Sequence, residues 1–339
     1  MVVFSTAVIA TMLLSIASIK GKNENFELLS RSYTDVLRGI AILLILLHHA
    51  ETNLYKELPH IFKVFIPLGA FGTAIFFFLS GYGNYTSLNK RKYRGGDWLI
   101  KKAGRLVVSY IIVIVIYTII LFLLGDSLVS KANIADYVLN VLKLTIPPFT
   151  SWYIKIQFLA YLLHFIVSKF YKGMSEAVAL VILLAVYTVI MRITKYEDFW
   201  WTSALCYGIG AIVATKKELV RKYLSKPVIT IFCTTAMLLF YLCSLRFHQG
   251  TLLMCIAGVL ALSGIGCFME VKGKTLRWIG NMSYELYLTQ VALIYIVLQK
   301  SEINISFRMI IYLVISVSVA YGIEKISGSV MNLIIAKET

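Results

Sequence analysis

The sequence predicts an all-α, polytopic integral membrane protein, and three observations carry that expectation. Of its 339 residues, 59% are hydrophobic and only 15% charged, a balance outside the soluble globular range. The apolar residues fall into eleven stretches, most of them long enough for a ~30 Å hydrocarbon core at about 1.5 Å per helical residue. The intervening loops alternate in charge: with the loop after the first stretch taken as cytoplasmic, 23 of the 33 basic residues fall on that side and 10 on the other. Such asymmetry is what the positive-inside rule produces, so the N-terminus is expected outside and the C-terminus inside. The net charge of +16 then reflects topology rather than a nucleic-acid surface, because distribution separates those readings better than the total does.

Residues 2–19 form the first stretch. No basic segment precedes it and no cleavage site follows, so it is expected as a retained helix rather than a signal peptide. The second span, 36–50, is short, and carries ionisable groups that lipid penalises by roughly 2.5–3.5 kcal/mol each unless they pair or line a wet cavity. At about 100° per residue, Arg38 and His49 return to within roughly 20° of one helix face, about 16 Å apart along the axis. His48 falls off that line. The competing reading makes Arg38 an interfacial anchor and His49 a satisfied histidine at the outer boundary.

The third span, 64–84, contains Phe76-Phe77-Phe78-Leu79-Ser80-Gly81-Tyr82, where a small Ser-Gly step permits close helix approach. Before the fourth, 105–124, lies the densest cationic loop, residues 89–105. Lys101 and Arg105 sit one turn apart on one helix face, and the free N–H groups of a helix start add positive potential, the makings of an anion site. Topology and anionic headgroups also account for Lys90 to Arg94. Residues Pro147 to Tyr153 stiffen the entry to the fifth span, 153–169, with a Trp152-Tyr153 pair that also suits an interfacial belt.

Spans 176–191, 201–214, 227–245 and 251–269 follow. The five cysteines lie in apolar spans without paired-ligand spacing, and packing is their expected role. The tenth span, 280–298, opens with Gly280-Asn281-Met282-Ser283-Tyr284-Glu285-Leu286-Tyr287-Leu288-Thr289-Gln290, too polar for a lipid-facing helix, and 307–326 is the last. His60, His164 and His248 have no evident chemical role. Nothing resembles a nucleotide-binding glycine loop or a zinc helix, and no metal site is expected.

Taken in order, these segments resemble the membrane-bound acyltransferase-3 family, many of whose members O-acetylate bacterial surface polysaccharides. Its Asp-x-x-Arg-Gly-Ile-Ala pattern with histidine further along matches Asp35, Arg38 and His49. Phe-Phe-x-x-Ser-Gly-Tyr matches Phe77 to Tyr82, and the Arg-x-x-x-Arg pair matches Lys101 and Arg105. A Trp-Tyr entry matches Trp152 and Tyr153, and Gly-x-x-Ser-Tyr-x-x-Tyr-Leu matches Gly280, Ser283, Tyr284, Tyr287 and Leu288. Two departures are specific. Many members have histidine where this chain has Gln290, and Lys101 holds a phosphate as a point charge rather than a bidentate fork.

The resemblance implies a ten-helix acyltransferase core over 31–339, with residues 1–30 supplying an extra transmembrane helix and a basic loop. It also implies transfer of an acyl group, most simply acetyl, from cytoplasmic acyl-coenzyme A to a hydroxyl of a surface glycan or its lipid-linked precursor, in a bacterial plasma membrane. Acyl-coenzyme A is then a co-substrate, and no tightly bound cofactor is implied. His49 is the implied catalytic base or transient acyl carrier. Arg38, Lys101 and Arg105 bind the donor's phosphates, Asp35 orients Arg38, and Ser80, Trp152, Tyr153, Ser283 and Tyr284 support the site. The alternative class is a multi-span glycan or carboxylate exporter, which intramembrane charge would also suit.

Overall fold

The computed structural model describes residues 19–21, 28–54, 60–89, 96–123, 136, 139–140, 152–271, 273–299 and 304–336. Most of the predicted first span, the loop residues Lys90 to Arg94 and the segment 147–151 lie outside them. Among the described residues twelve helices dominate: α1 (Arg31–Leu54), α2 (Ile66–Asn89), α3 (Gly96–Leu123), α4 (Trp152–Phe170), α5 (Met174–Ile193), α6 (Leu205–Thr215), α7 (Lys217–Leu224), α8 (Pro227–Ser244), α9 (His248–Phe268), α10 (Lys274–Asn281), α11 (Ser283–Leu293) and α12 (Ile305–Ala336). Short 3-10 turns precede α2 (His60–Phe65) and α6 (Asp198–Trp200), and α11 runs on into a π turn, Ile294–Gln299. The protein is an all-α polytopic membrane protein. Its strands are a three-residue antiparallel pair, β1 (Ile19–Gly21) with β2 (Met269–Val271), Lys20 opposite Glu270.

Each expected span from 36 onward coincides with helix. By length and apolarity alone, seven described helices qualify as spans: α1, α2, α3, α5, α8, α9 and α12. The expected spans at 153–169, 201–214 and 280–298 fall short for identifiable reasons. Lys155, Gln157, His164 and Lys169 lower the apolarity of α4, α6 is only 11 residues long, and the third is broken between Asn281 and Ser283 into α10 and α11. In α4 two of the polar residues, Gln157 and His164, are buried, and both belong to the site.

The centre of the bundle is α1, packed on α2, α10 and α11. Two crossings are close enough to demand glycine. A Cβ on Gly280 would stand 1.9 Å from the Asp35 carbonyl oxygen, and one on Gly39 2.2 Å from that of Leu276, so α10 docks directly on the backbone of α1. In the same way a Cβ on Gly81 would meet the Tyr207 carbonyl at 1.9 Å and one on Gly210 that of Phe78 at 2.1 Å, locking α2 to α6. The Ser80-Gly81 step thus permits the backbone approach expected of it. α8 lies at the periphery, with Val228, Ile231, Phe232 and Leu239 exposed as a lipid-facing surface requires.

Candidate functional site

The site begins on α1, where Asp35 and Arg38 stand one turn apart. The Arg38 Nη1 group donates to Asp35 Oδ1 at 2.6 Å, and 39% of the arginine side chain stays accessible. An i, i+3 carboxylate fixes the guanidinium without neutralising the surroundings, because more cations converge there. Arg38 interacts electrostatically with Arg105 of α3, and Lys102 interacts with Arg38, Arg105 and Lys101. Like charges gathered in one place repel unless an anion joins them. Lys102 therefore belongs with Arg38, Arg105 and Lys101 in one group of cations. On the far side, Glu285 of α11 faces Arg105 and accepts a hydrogen bond from the buried Ser109 hydroxyl of α3 at 2.9 Å.

Opposite this cluster runs one face of α4. Tyr153, Gln157, Tyr161, His164 and Ser168 recur at intervals of three or four residues, so they share a side, and all five are buried. Tyr153 and Tyr161 both interact with Arg38. Tyr153 packs its ring 5.0 Å from Phe77 and 5.0 Å from Tyr287. Trp152 turns outward onto Phe199, with centroids 5.3 Å apart. The Tyr161 hydroxyl faces Ser80, Asn84 and Gln157.

A buried polar chain continues from there. Asn84 Nδ2 donates to the Tyr207 hydroxyl at 3.0 Å, and that hydroxyl lies 2.8 Å from His164 Nδ1. Since the tyrosine oxygen already accepts from Asn84, the simplest proton assignment has its O–H donating to Nδ1, which leaves the imidazole proton on Nε2. Nε2 points to Glu176 Oε1 at 3.3 Å, with both side chains at most 1% accessible. Trp98 covers the imidazole edge-on at 5.9 Å and donates its indole N–H to Ser87. The chain ties together α2, α4, α5 and α6.

In the C-terminal half of α1 the two histidines differ. His48 Nδ1 lies 2.8 Å from the Ile66 carbonyl, which can only accept, so Nδ1 carries the proton; the ring also packs where a Cβ on Gly69 would sit. His49 has no hydrogen-bond partner for its ring among the described residues; its ring neighbour is His48, edge-on at 5.0 Å. The remaining predicted residues sit on α11. Ser283 is buried at its start, and the Tyr284 hydroxyl donates to the Leu106 carbonyl at 2.9 Å, fastening α11 to α3. Gln290 is fully buried, with both amide atoms unpaired among the described residues.

The structure thus brings Asp35, Arg38, Arg105, Ser80 and Tyr153 to one locus and leaves His49 further out on the same helix face. Asn84, Lys102, Gln157, Tyr161, His164, Glu176, Tyr207 and Glu285 join these surroundings without having been anticipated. The α4 stripe was readable as a 4, 4, 3, 4 spacing of polar and phenolic residues. His248 pairs with Asp198 at the outer end, bridging the 3-10 turn before α6 to the start of α9.

Comparison with known proteins adds one finding. A family model described as an acyltransferase domain matches residues 31–325, most of the chain. No curated protein and no solved structure matches it. The helices that hold the cationic cluster, the α4 stripe and both α1 histidines all lie inside the matched region, and the chain belongs to the acyltransferase-3 family, as a multi-pass membrane acyltransferase.

Proposed function

We propose that this acyltransferase moves an acyl group, most simply acetyl, from cytoplasmic acyl-coenzyme A to a hydroxyl of a surface glycan or its lipid-linked precursor. The observation that carries the reading is the pairing, on one face of α1, of a cation cluster with an imidazole, about 16 Å away, whose ring has no hydrogen bond among the described residues. Arg38, Lys102 and Arg105 hold the donor's phosphates, with Lys101 adding to the field. The extended arm of the donor then spans the distance to His49.

His49 Nε2 or Nδ1 accepts the hydroxyl proton as the sugar oxygen attacks the thioester carbonyl. The C–O bond forms, the C–S bond breaks, and the proton passes to the departing thiolate. An imidazole can both accept and return a proton, and such general acid–base transfer typically contributes about 10²–10⁴-fold. Tyr153 and Trp152 wall the path, and Asp35 holds Arg38 in place. The reading sets the enzyme in a bacterial plasma membrane, N-terminus outside and C-terminus inside.

His49→Ala is expected to abolish acyl transfer at unchanged membrane abundance, while His48→Ala, whose ring is tied to a carbonyl, keeps at least a tenth of it. The measurement is acetate on cell-surface glycan, by mass spectrometry, from cells carrying each variant. Wild-type transfer by the His49 variant would remove the imidazole from the chemistry. Release of coenzyme A in a burst before acceptor is added would instead make His49 an acyl carrier.

A further inference from the structure

Gln157 is buried to 1% accessibility, yet neither its amide nitrogen nor its amide oxygen reaches hydrogen-bond geometry with any described group, although the Tyr161 hydroxyl faces it. Buried amides are almost always paired, and one that is not invites a ligand that pairs it. Its position narrows the choice. On α4, Gln157 lies one turn from Tyr153 on one side and one turn from Tyr161 on the other, and both phenols interact with Arg38. The amide therefore lies on the α4 face whose phenols neighbour the guanidinium, one helical turn from each of them.

A ligand for this place bears negative charge at one end and, next to it, a neutral group with both a donor and an acceptor. A secondary amide fits. Coenzyme A presents that sequence of groups, a diphosphate followed by the two amides of its pantetheine arm. We propose that Gln157 hydrogen-bonds an amide of the pantetheine arm and sets donor specificity at this site, an inference that rests on the acyl-coenzyme A reading above. A sugar hydroxyl offers the same hydrogen-bonding capacity but would come from the acceptor, so the test separates the two.

Binding of coenzyme A and of adenosine 3′,5′-bisphosphate, which has phosphates but no arm, is measured on the purified full-length protein and on Gln157→Met, which keeps side-chain length and loses the amide. The substitution is expected to weaken coenzyme A roughly 5- to 10-fold, the scale of one or two neutral hydrogen bonds, and to leave the bisphosphate unchanged. The unliganded protein should melt at the same temperature or higher, since an unpaired buried amide has been removed. Gln157→Asn, which withdraws the amide by one methylene, should show the same split between ligands and keeps the test open if the Met variant does not fold.

Equal coenzyme A affinity in wild type and variants overturns the assignment of Gln157 while the donor reading stands. Equal loss for both ligands makes the effect structural and overturns it too. A rise in acceptor KM alone assigns the amide to the acceptor instead. If the wild type binds neither ligand, the donor reading itself has failed.

Discussion

Between the neighbouring histidines of α1 the difference is one hydrogen bond. Ile66 is a carbonyl acceptor for His48, and an imidazole so held has one nitrogen committed and its ring fixed against α2. Among the described residues neither nitrogen of His49 is committed. The same kind of distinction separates the two lysines of α3. Lys102 interacts with Arg38 and Arg105, and with Lys101 next to it on the helix. A phosphate drawn to the cluster gains most from the lysine that interacts with both arginines. Lys102→Gln should therefore raise the apparent KM for acyl-coenzyme A about tenfold, or ~1.4 kcal/mol, and Lys101→Gln no more than about threefold. Steady-state kinetics at low ionic strength, where such charges are least screened, decide it; a larger effect at Lys101 reverses the assignment.

At the scale of elements, α4 is where the bundle departs from apolar packing. His164 and Glu176 are sealed inside, so each carries a desolvation penalty, offset among the described residues by the other and by Tyr207. Removing one partner of a buried pair typically costs about 3–5 kcal/mol, whereas replacing both by apolar groups is often close to neutral. His164→Leu and Glu176→Leu are each expected to lower the melting temperature in detergent, and the double variant to lose much less than their sum. Additive losses would show that the two side chains do not support one another. Helix positions were legible because long apolar runs have few other outcomes in lipid: the expected 36–50, 64–84 and 227–245 fall within or along α1, α2 and α8. The polar chain was not legible in the same way. His164 meets Tyr207 from 43 residues away and Asn84 joins through Tyr207 from 123 residues away, pairings that only packing creates. Nor does spacing separate Lys101 from Lys102, which differ by one position on the helix and are told apart by what α1 places opposite them.

For the whole molecule, charge and chain direction combine into one orientation. The β1–β2 pair, the start of α10, where Arg277 meets Ser32, and the basic helix α7 should all mark one end, since β2 follows α9 and α7 precedes α8. The other end is marked by the Asp198–His248 pair and by Tyr241 donating to the Val64 carbonyl. Lys216, Lys217, Arg221, Lys222 and Lys226 crowd the first end, and the positive-inside rule puts that end in the cytoplasm. In the proposed reaction the cation cluster of Arg38, Lys102 and Arg105 would then face the side that supplies the acyl donor, with His49 toward the side of the acceptor. Exposed positions at the two ends test this directly. With Cys233 and Cys243 replaced by alanine, a membrane-impermeant maleimide should label Glu197→Cys in intact cells and leave Ser225→Cys unlabelled until the membrane is opened. The reverse pattern would place the cations outside, away from any cytoplasmic thioester, and the proposed direction of transfer would fall with it.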